Sequence, residues 1–453
     1  MTEVRHGTAP RLERVIGVGG LAASAVNCIV GSGIFGLPGL AAAILGPAAV
    51  LAYLLCALLV SLIGLCLAEV GSRVSHPGGL YAYVSEAFGP VAGGVAGTLL
   101  WAANSVVSSA AVAALLMDTG ALMIPALGGG LWRVIGLVTL YAVLAAVNIR
   151  GSRSGARLSM IMAVVKIAPL VLLVIVGAFG VRTANLQWVG VPAASQIGQA
   201  AVLLFFAFMG VEGALNVSGE VANPARTVPR AIFVALAVAA ALYAGLQLVA
   251  QGVLGAALAG APAPLVAAAT AVFGPWGTRL LLATTLLSVA GFLSADVLCS
   301  PRNLAALSDR GQLPRALAAV HPRFKTPAIA IGAYALMCAA VALSGSFRQL
   351  VIVSTSGTLL LYLMCCLGLL RLRARNVATA GPPFRAPGGS LVPLAASAII
   401  LWLLSTLAWV ELAAAIFLVV VSGGAYALQQ RGRGERVGPI ALEASSAVLP
   451  GVE

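Results

Sequence analysis

Long apolar stretches constrain this 453-residue chain more than any other feature. A helix needs roughly 20 apolar residues to cross a hydrocarbon core of about 30 Å. Charged residues make up only 9% of the chain, against about 25% in soluble domains. The sequence therefore predicts an all-α membrane protein with twelve transmembrane helices. The spans lie near residues 15–43, 47–70, 86–117, 131–148, 156–180, 196–221, 229–257, 277–306, 327–344, 350–371, 391–409 and 411–428.

The distribution of positive charge predicts the orientation in the membrane. Of the 26 Lys and Arg residues, 21 lie on the side that carries both termini, four lie on the other side, and Lys166 lies inside a span. Because cytoplasmic loops are enriched in Lys and Arg, we expect a cell-membrane protein with both termini in the cytoplasm. The net charge of +13 is then a topology signal, and no nucleic-acid partner is expected.

The chain divides into a membrane domain and two tails. We expect a cytoplasmic tail over 1–14, a transmembrane domain over 15–428 and a disordered cytoplasmic tail over 429–453. The first apolar stretch has no small-residue cleavage site, so it should remain as a membrane span. The seven cysteines lie in or at the ends of spans and are expected to form no disulfides. With only three histidines, no metal site is expected.

Two spans carry glycine where a helix is expected to be continuous. Span 1 contains Gly31-Ser32-Gly33, and span 6 contains Gly210-Val211-Glu212-Gly213. Each glycine costs a helix about 1 kcal/mol relative to alanine. Close helix packing through small residues would explain one such span. Two of them, in spans 1 and 6, fit broken helices at equivalent positions of inverted repeats over 15–180 and 196–371, followed by two further helices over 391–428.

A broken helix exposes peptide groups that a ligand can bind. One half-helix presents free N–H groups and the positive end of its dipole, and the other presents free carbonyl groups. Non-helical backbone is tolerated in a membrane only where it is buried in protein or lines an aqueous cavity. We therefore expect a bound zwitterion, with its carboxylate on amides and its ammonium on carbonyls. The predicted site residues are Ile29, Gly31, Ser32, Gly33, Ile34, Phe206, Ala207, Phe208 and Gly210.

Several motifs resemble those of one family. They are Gly31-Ser32-Gly33-Ile34-Phe35 and the stretches 205–212, 220–231, 309–314 and 321–327. Together they resemble the amino acid–polyamine–organocation (APC) superfamily of transporters, over about residues 12 to 428. The resemblance implies a LeuT-type fold, with ten helices in a 5+5 inverted repeat, broken helices 1 and 6, and two additional helices. It also implies alternating access by antiport or proton symport.

Two residues are candidates for coupling under this resemblance. In APC members with a lysine matching Lys166, its ammonium is thought to take the place of a sodium ion, which implies sodium-independent transport. An ammonium buried among apolar residues is also able to release a proton in one conformation and regain it in another. Lys166 is therefore a candidate proton carrier, or else a fixed cation in an exchanger. Glu212 matches a glutamate linked to proton-dependent substrate handling in the arginine/agmatine antiporter.

Further side chains are expected to complete the site. Phe206 matches that antiporter's aromatic lid, although plain packing would also explain it. Asp296 departs from the family pattern of a large aromatic or an amide, and it either pairs with Lys166 or binds a cationic substrate side chain. Asn104, Ser108 and Ser356 add polar groups, although hydroxyl stripes more often join helices than touch a ligand.

The sequence as a whole predicts a secondary active amino acid transporter, sodium-independent, working by proton-coupled symport or by exchange. The alternatives are a polyamine or cationic amino acid antiporter, and a membrane sensor that binds an amino acid without transporting it. A channel would need a continuous polar path, and an enzyme would need a nucleophile and a base on facing spans. No catalytic residue or cofactor is expected. The partners are an amino acid, the bilayer and, as a candidate, protons, in a monomer or a homodimer.

Overall fold

The computed structural model is all-α over the residues it describes, which are 17–74, 79–150, 156–188, 190–210, 224–309, 314–378, 383–414, 416–417, 419–420 and 424. Its α-helices there are α1 (Val18–Ile29), α2 (Leu37–Leu45), α3 (Ala49–Arg73), α4 (Leu80–Phe88), α5 (Pro90–Leu99), α6 (Ser108–Gly120), α7 (Gly130–Arg150), α8 (Ala156–Gly177), α9 (Ala194–Phe208), α10 (Pro224–Leu254), α11 (Pro264–Phe273), α12 (Pro275–Asp309), α13 (Ala328–Ser344), α14 (Phe347–Ala374) and α15 (Leu391–Ser405). A π-helix over Leu100–Val107 joins α5 to α6.

Six helical segments of the described chain are long and apolar enough to cross a membrane. They are Leu37–Arg73, Pro90–Gly120, Gly130–Arg150, Pro229–Gly260, Pro275–Ala305 and Phe347–Ala374. Shorter apolar helices, among them α1, α9, α13 and α15, accompany them. These segments confirm a multi-pass helical membrane protein. The count of twelve spans and the inverted repeat stay predictions, and half of span 411–428 lies outside the described residues.

Proline and glycine set several helix boundaries. Pro90, Pro264 and Pro275 begin α5, α11 and α12, where an N–H would have no helical partner in any case. Gly89 and Gly274 end α4 and α11 with φ of +94° and +67°, a conformation that favours glycine. The boundaries therefore follow from local backbone chemistry.

Helix α10 lies next to both predicted helix breaks. Helix α1 packs along α10, α10 also packs on α3, and α9 lies against α2 and α3. The C-terminal ends of α1 and α9 consequently meet beside the middle of α10, in the buried interior of the bundle.

Candidate binding site at the helix breaks

The first span is broken at its glycines. Helix α1 ends at Ile29, a short 3₁₀ turn covers Gly33–Phe35, and α2 begins at Leu37. The N–H groups of residues 32, 33 and 34 have no hydrogen-bond partner among the described residues, whereas those of Phe35 and Gly36 donate to the turn. Three consecutive peptide donors, defined here as the amide row, are thus left at the break.

Glycine is required at this break because an aromatic ring lies against it. A Cβ on Gly33 would lie 2.8 Å from Cδ1 of Phe206. The Phe206 side chain is 7% exposed and meets the ring of Phe347 edge to face at 6.5 Å. Phe206 therefore packs inside the protein and covers the amide row.

The sixth span also departs from a helix. Helix α9 ends at Phe208, and Gly210 has φ of +103°, which only glycine adopts readily. A Cβ on Gly210 would lie 3.1 Å from the carbonyl oxygen of Cys28. The ends of α1 and α9 thus touch. Glu212 lies outside the described residues, so its predicted role stays a prediction.

A tyrosine that the sequence analysis missed joins the two helix ends. The Tyr243 hydroxyl, from α10, lies 2.9 Å from the carbonyl oxygen of Ile29 and 3.0 Å from that of Ala207. One hydroxyl has one proton for two acceptors, and each carbonyl has two lone pairs. The Ile29 carbonyl also accepts from the Gly31 N–H at 2.7 Å, so the two carbonyls together keep part of their acceptor capacity. The sequence signal was weak, because a tyrosine in an apolar helix usually belongs to the core.

Lys166 holds the same end of α1 from another side. Its Nζ donates to the carbonyl oxygen of Asn27 at 2.7 Å. A cation at a helix C-terminus is favourable, because the carbonyl groups there carry the negative end of the dipole. Lys166 and Tyr243 therefore fix the carbonyl end of α1 from α8 and α10.

Asp296 is bonded to hydroxyl groups and not to Lys166 among the described residues. Its two carboxylate oxygens accept hydrogen bonds from Ser300 at 2.7 Å and from the Tyr334 hydroxyl at 2.6 Å. No ion pair between Asp296 and Lys166 occurs within the described chain. The internal pairing that the sequence left open is thus not formed in this conformation.

The other polar candidates, Ser356, Asn104 and Ser108, differ in burial and in whether their polar groups are already hydrogen-bonded. Ser356 is fully buried, and its hydroxyl donates to Ile352 of the same helix at 2.6 Å. Its neighbour Ser354 donates to the carbonyl oxygen of Ala103 at 2.8 Å and so joins α14 to the π-helix. Asn104 lies in that π-helix and is half-buried, and Ser108 begins α6 with 6% exposure. Ser354 therefore joins two helices, and the Ser356 hydroxyl is used within its own helix.

A second polar centre, also missed from the sequence, surrounds a glutamate at the end of α3. Glu69 is fully buried. Its Oε1 accepts from Arg73 at 2.8 Å and from Nε of Arg373 at 2.8 Å, and its Oε2 accepts from Arg373 and from the Ala386 N–H at 2.7 Å. We call these four residues the Glu69 cluster. It joins the ends of α3 and α14 to the segment before α15.

Open peptide groups at the meeting point of two helix ends, inside a multi-pass bundle, are typical of small-molecule membrane transporters. The chain belongs to the amino acid permease family, whose model matches residues 16–424. This confirms the resemblance to the APC superfamily and supports an amino acid transporter.

Curated relatives agree with the family. The serine/threonine exchanger SteT of Bacillus subtilis is 31% identical over 68% of this chain and 71% of its own length. The branched-chain amino acid permease BcaP of Lactococcus lactis is 29% identical over 78% and 80%. The methylthioribose transporter of Bacillus subtilis is 26% identical over 93% and 94%. These relatives are named as an exchanger, a permease and a transporter, not as enzymes, as the sequence predicted.

Proposed function

We propose that this protein is a secondary active amino acid transporter that binds its substrate at the two helix breaks and works by alternating access. The observation that carries the proposal is the amide row at residues 32–34, which lies beside the carbonyl groups of Ile29 and Ala207. A substrate carboxylate would accept from the amides, and its ammonium would donate to the carbonyl lone pairs that Tyr243 and the Gly31 N–H leave available. Phe206 acts as the lid over this site.

The exposed face of α1 supports a route of access. Ala23, Ser24 and Cys28 are exposed and lie on one side of the helix, whereas Leu21 and Ala25 are buried. Helices that face lipid expose large apolar residues instead, such as Ile175 on α8 at 58%. Small and polar residues fit an aqueous vestibule. We assign this vestibule to the cytoplasmic side, with both termini in the cytoplasm and the protein in the cell membrane.

The contacts of Lys166 support sodium-independent coupling. Its ammonium donates to the Asn27 carbonyl at 2.7 Å, so a fixed cation already neutralises the carbonyl end of α1, where sodium would bind in sodium-coupled relatives. The charge either stays fixed, which gives exchange, or leaves as a proton during the cycle, which gives symport. Glu212 would then link protonation to movement of the sixth span.

Flux measurements on reconstituted protein test the proposal. A panel of labelled amino acids, serine, threonine and branched-chain residues included, is offered to proteoliposomes with and without a pH gradient and with and without sodium. We expect saturable uptake that does not require sodium. Lys166→Ala and Glu212→Gln should alter its dependence on the pH gradient or on internal substrate. If both variants transport like the native chain at every pH, the coupling assignment is wrong.

One observation favours a second candidate, a cationic amino acid or polyamine antiporter. Asp296 is partly exposed, and within the described residues it has two hydroxyl partners and no cationic one. Such a carboxylate would suit a cationic side chain. Asp296→Asn should then abolish uptake of arginine, lysine or putrescine while uptake of neutral amino acids persists. Binding without flux for every compound would instead indicate a sensor.

A further inference from the structure

One face of α10 carries a stripe of polar side chains within the buried interior. Tyr243, Gln247 and Gln251 are spaced four residues apart, which places them on one face of the helix. They are 0%, 1% and 4% exposed. Tyr243 is bonded to the ends of α1 and α9, and Nε2 of Gln251 donates to the carbonyl of Gly255 at 3.3 Å.

Several polar atoms on this face of α10, and one on the neighbouring helix α3, have no hydrogen-bond partner among the described residues. Neither Nε2 nor Oε1 of Gln247 has a hydrogen-bond partner among the described residues, and the same holds for Oε1 of Gln251 and the hydroxyl of Tyr53. Tyr53 lies on α3 and is 1% exposed. Buried polar groups are almost always hydrogen-bonded, so these four atoms, on Tyr53 and along one face of α10, require a partner other than the protein.

The packing of α3 on α10 places Tyr53 beside the start of this polar stripe. A Cβ on Gly64 would lie 3.1 Å from Cγ2 of Ile232, which sets these two positions level with each other. The two helices run in opposite directions. Tyr53 lies eleven residues before Gly64, and Tyr243 lies eleven residues after Ile232, so the two tyrosines are level with each other. Their ring centroids are indeed 6.3 Å apart. Gln247 follows one helical turn, about 5.4 Å, further on.

We propose that this interface is a binding site for internal water, in which water molecules bridge the hydroxyl of Tyr53, the amide of Gln247 and Oε1 of Gln251. The donors and acceptors present match a water, which makes about three hydrogen bonds to otherwise unsatisfied buried groups. A cation is disfavoured because these three side chains carry no charge to offset its desolvation. The waters connect α3 to the part of α10 that carries Tyr243. This proposal does not depend on which substrate is transported.

Hydroxyl-radical labelling of the native protein in detergent tests the water directly. X-ray radiolysis of a bound water produces a radical that oxidises the adjacent side chain, so Tyr53 should be labelled at a rate at least about threefold above that of Tyr362. Tyr362 is a matched control, because it is equally buried, at 1% exposure, and its ring packs on Phe205. Equal labelling of the two tyrosines would overturn the proposal.

Melting temperatures of variants provide an independent test. If water bridges the two side chains, Gln247→Leu and Tyr53→Phe each leave the other group short of a partner and lower the melting temperature, and the double variant loses less than the sum of the two shifts. If the groups are dry, each substitution removes an unsatisfied polar atom, the melting temperature rises, and the shifts add. Additive shifts of either sign overturn the proposal. Thr355→Val removes a buried unpaired hydroxyl elsewhere, on α14, and should be additive with Gln247→Leu.

Discussion

The two polar centres of this protein use their hydrogen-bonding groups in opposite ways. In the Glu69 cluster both carboxylate oxygens are bonded to arginine or to a backbone N–H, so nothing is left for a ligand. At the helix breaks the amide row has no partner among the described residues, and the adjoining carbonyls are only partly used. Saturated bonding stabilises one centre, whereas the unsatisfied backbone groups of the other are the basis of the binding we propose there. In this bundle the ion-paired centre is structural, and the break, with its open peptide groups, is the candidate site.

The largest expected effect comes from removing the carboxylate of the saturated centre. Glu69→Ala leaves the guanidinium groups of Arg73 and Arg373, whose side chains are 6% and 18% exposed, without their shared anion. Breaking a buried ion pair from one side costs about 3–5 kcal/mol. We expect loss of the monodisperse protein or a large fall in melting temperature, measured by size-exclusion chromatography after heating. A variant as stable as the native chain would show that the cluster is not a structural centre.

The second-largest effect is expected from a substitution at the helix breaks, and it should lower substrate affinity more than stability. Gly33→Ala places a Cβ 2.8 Å from the Phe206 ring, and overpacking of this kind costs about 1–3 kcal/mol. Because Phe206 covers the amide row, we expect substrate affinity to fall at least about tenfold, as measured by scintillation proximity binding.

Gly31→Ala is the matched control for that substitution. The nearest atom to a Cβ at Gly31 is the carbonyl oxygen of Ile29 at 3.8 Å, which is ordinary contact. Affinity should therefore change little. Equal losses in the two variants would mean that the whole break tolerates no side chain, and that the Phe206 contact has no special part in binding.

The contrast between the two centres also explains why one of them was predictable from the sequence and the other was not. The break at Gly31 to Gly33 was predictable, because helix propensity is local and glycine is costly in a helix. The Glu69 cluster was not, although Arg73 lies four residues from Glu69. Arg373 and Ala386, which complete the bonding, are 304 and 317 residues away in the chain. Only the packing of α3 on α14 brings them together.

Three side chains considered for the candidate site show the same limit. Tyr243 has no motif, and its role depends on two backbone carbonyls from separate helices. Lys166 and Asp296 were recognised as buried ionisable residues, and opposite charge made their pairing an obvious hypothesis. The structure gives each of them neutral partners instead. Charge in a sequence indicates that a partner is needed, but it does not specify which one.

A smaller effect is expected at the hydroxyl that joins the helix ends. Tyr243→Phe removes one proton shared between the carbonyls of Ile29 and Ala207, and a single buried hydrogen bond contributes about 0.5–1.5 kcal/mol. We expect a fall of about two- to tenfold in the exchange rate or affinity. Tyr334→Phe is the control, because its hydroxyl is equally buried but bonds to Asp296. An equal loss of affinity for neutral amino acids in both variants would contradict a specific role for Tyr243.

The smallest effect should come from an ion pair that resembles those of the Glu69 cluster in length but not in burial. Arg133 Nη1 lies 2.6 Å from Oδ1 of Asp118, and the two side chains are 19% and 38% exposed. Partly exposed pairs contribute about 0–1 kcal/mol, because solvent solvates each charge once its partner is removed. Asp118→Asn should therefore shift the melting temperature by no more than about 2–4 °C, and Glu69→Gln by clearly more. Equal shifts in melting temperature would mean that burial does not decide how much an ion pair stabilises this protein. The Glu69 cluster would then owe its stability to packing alone.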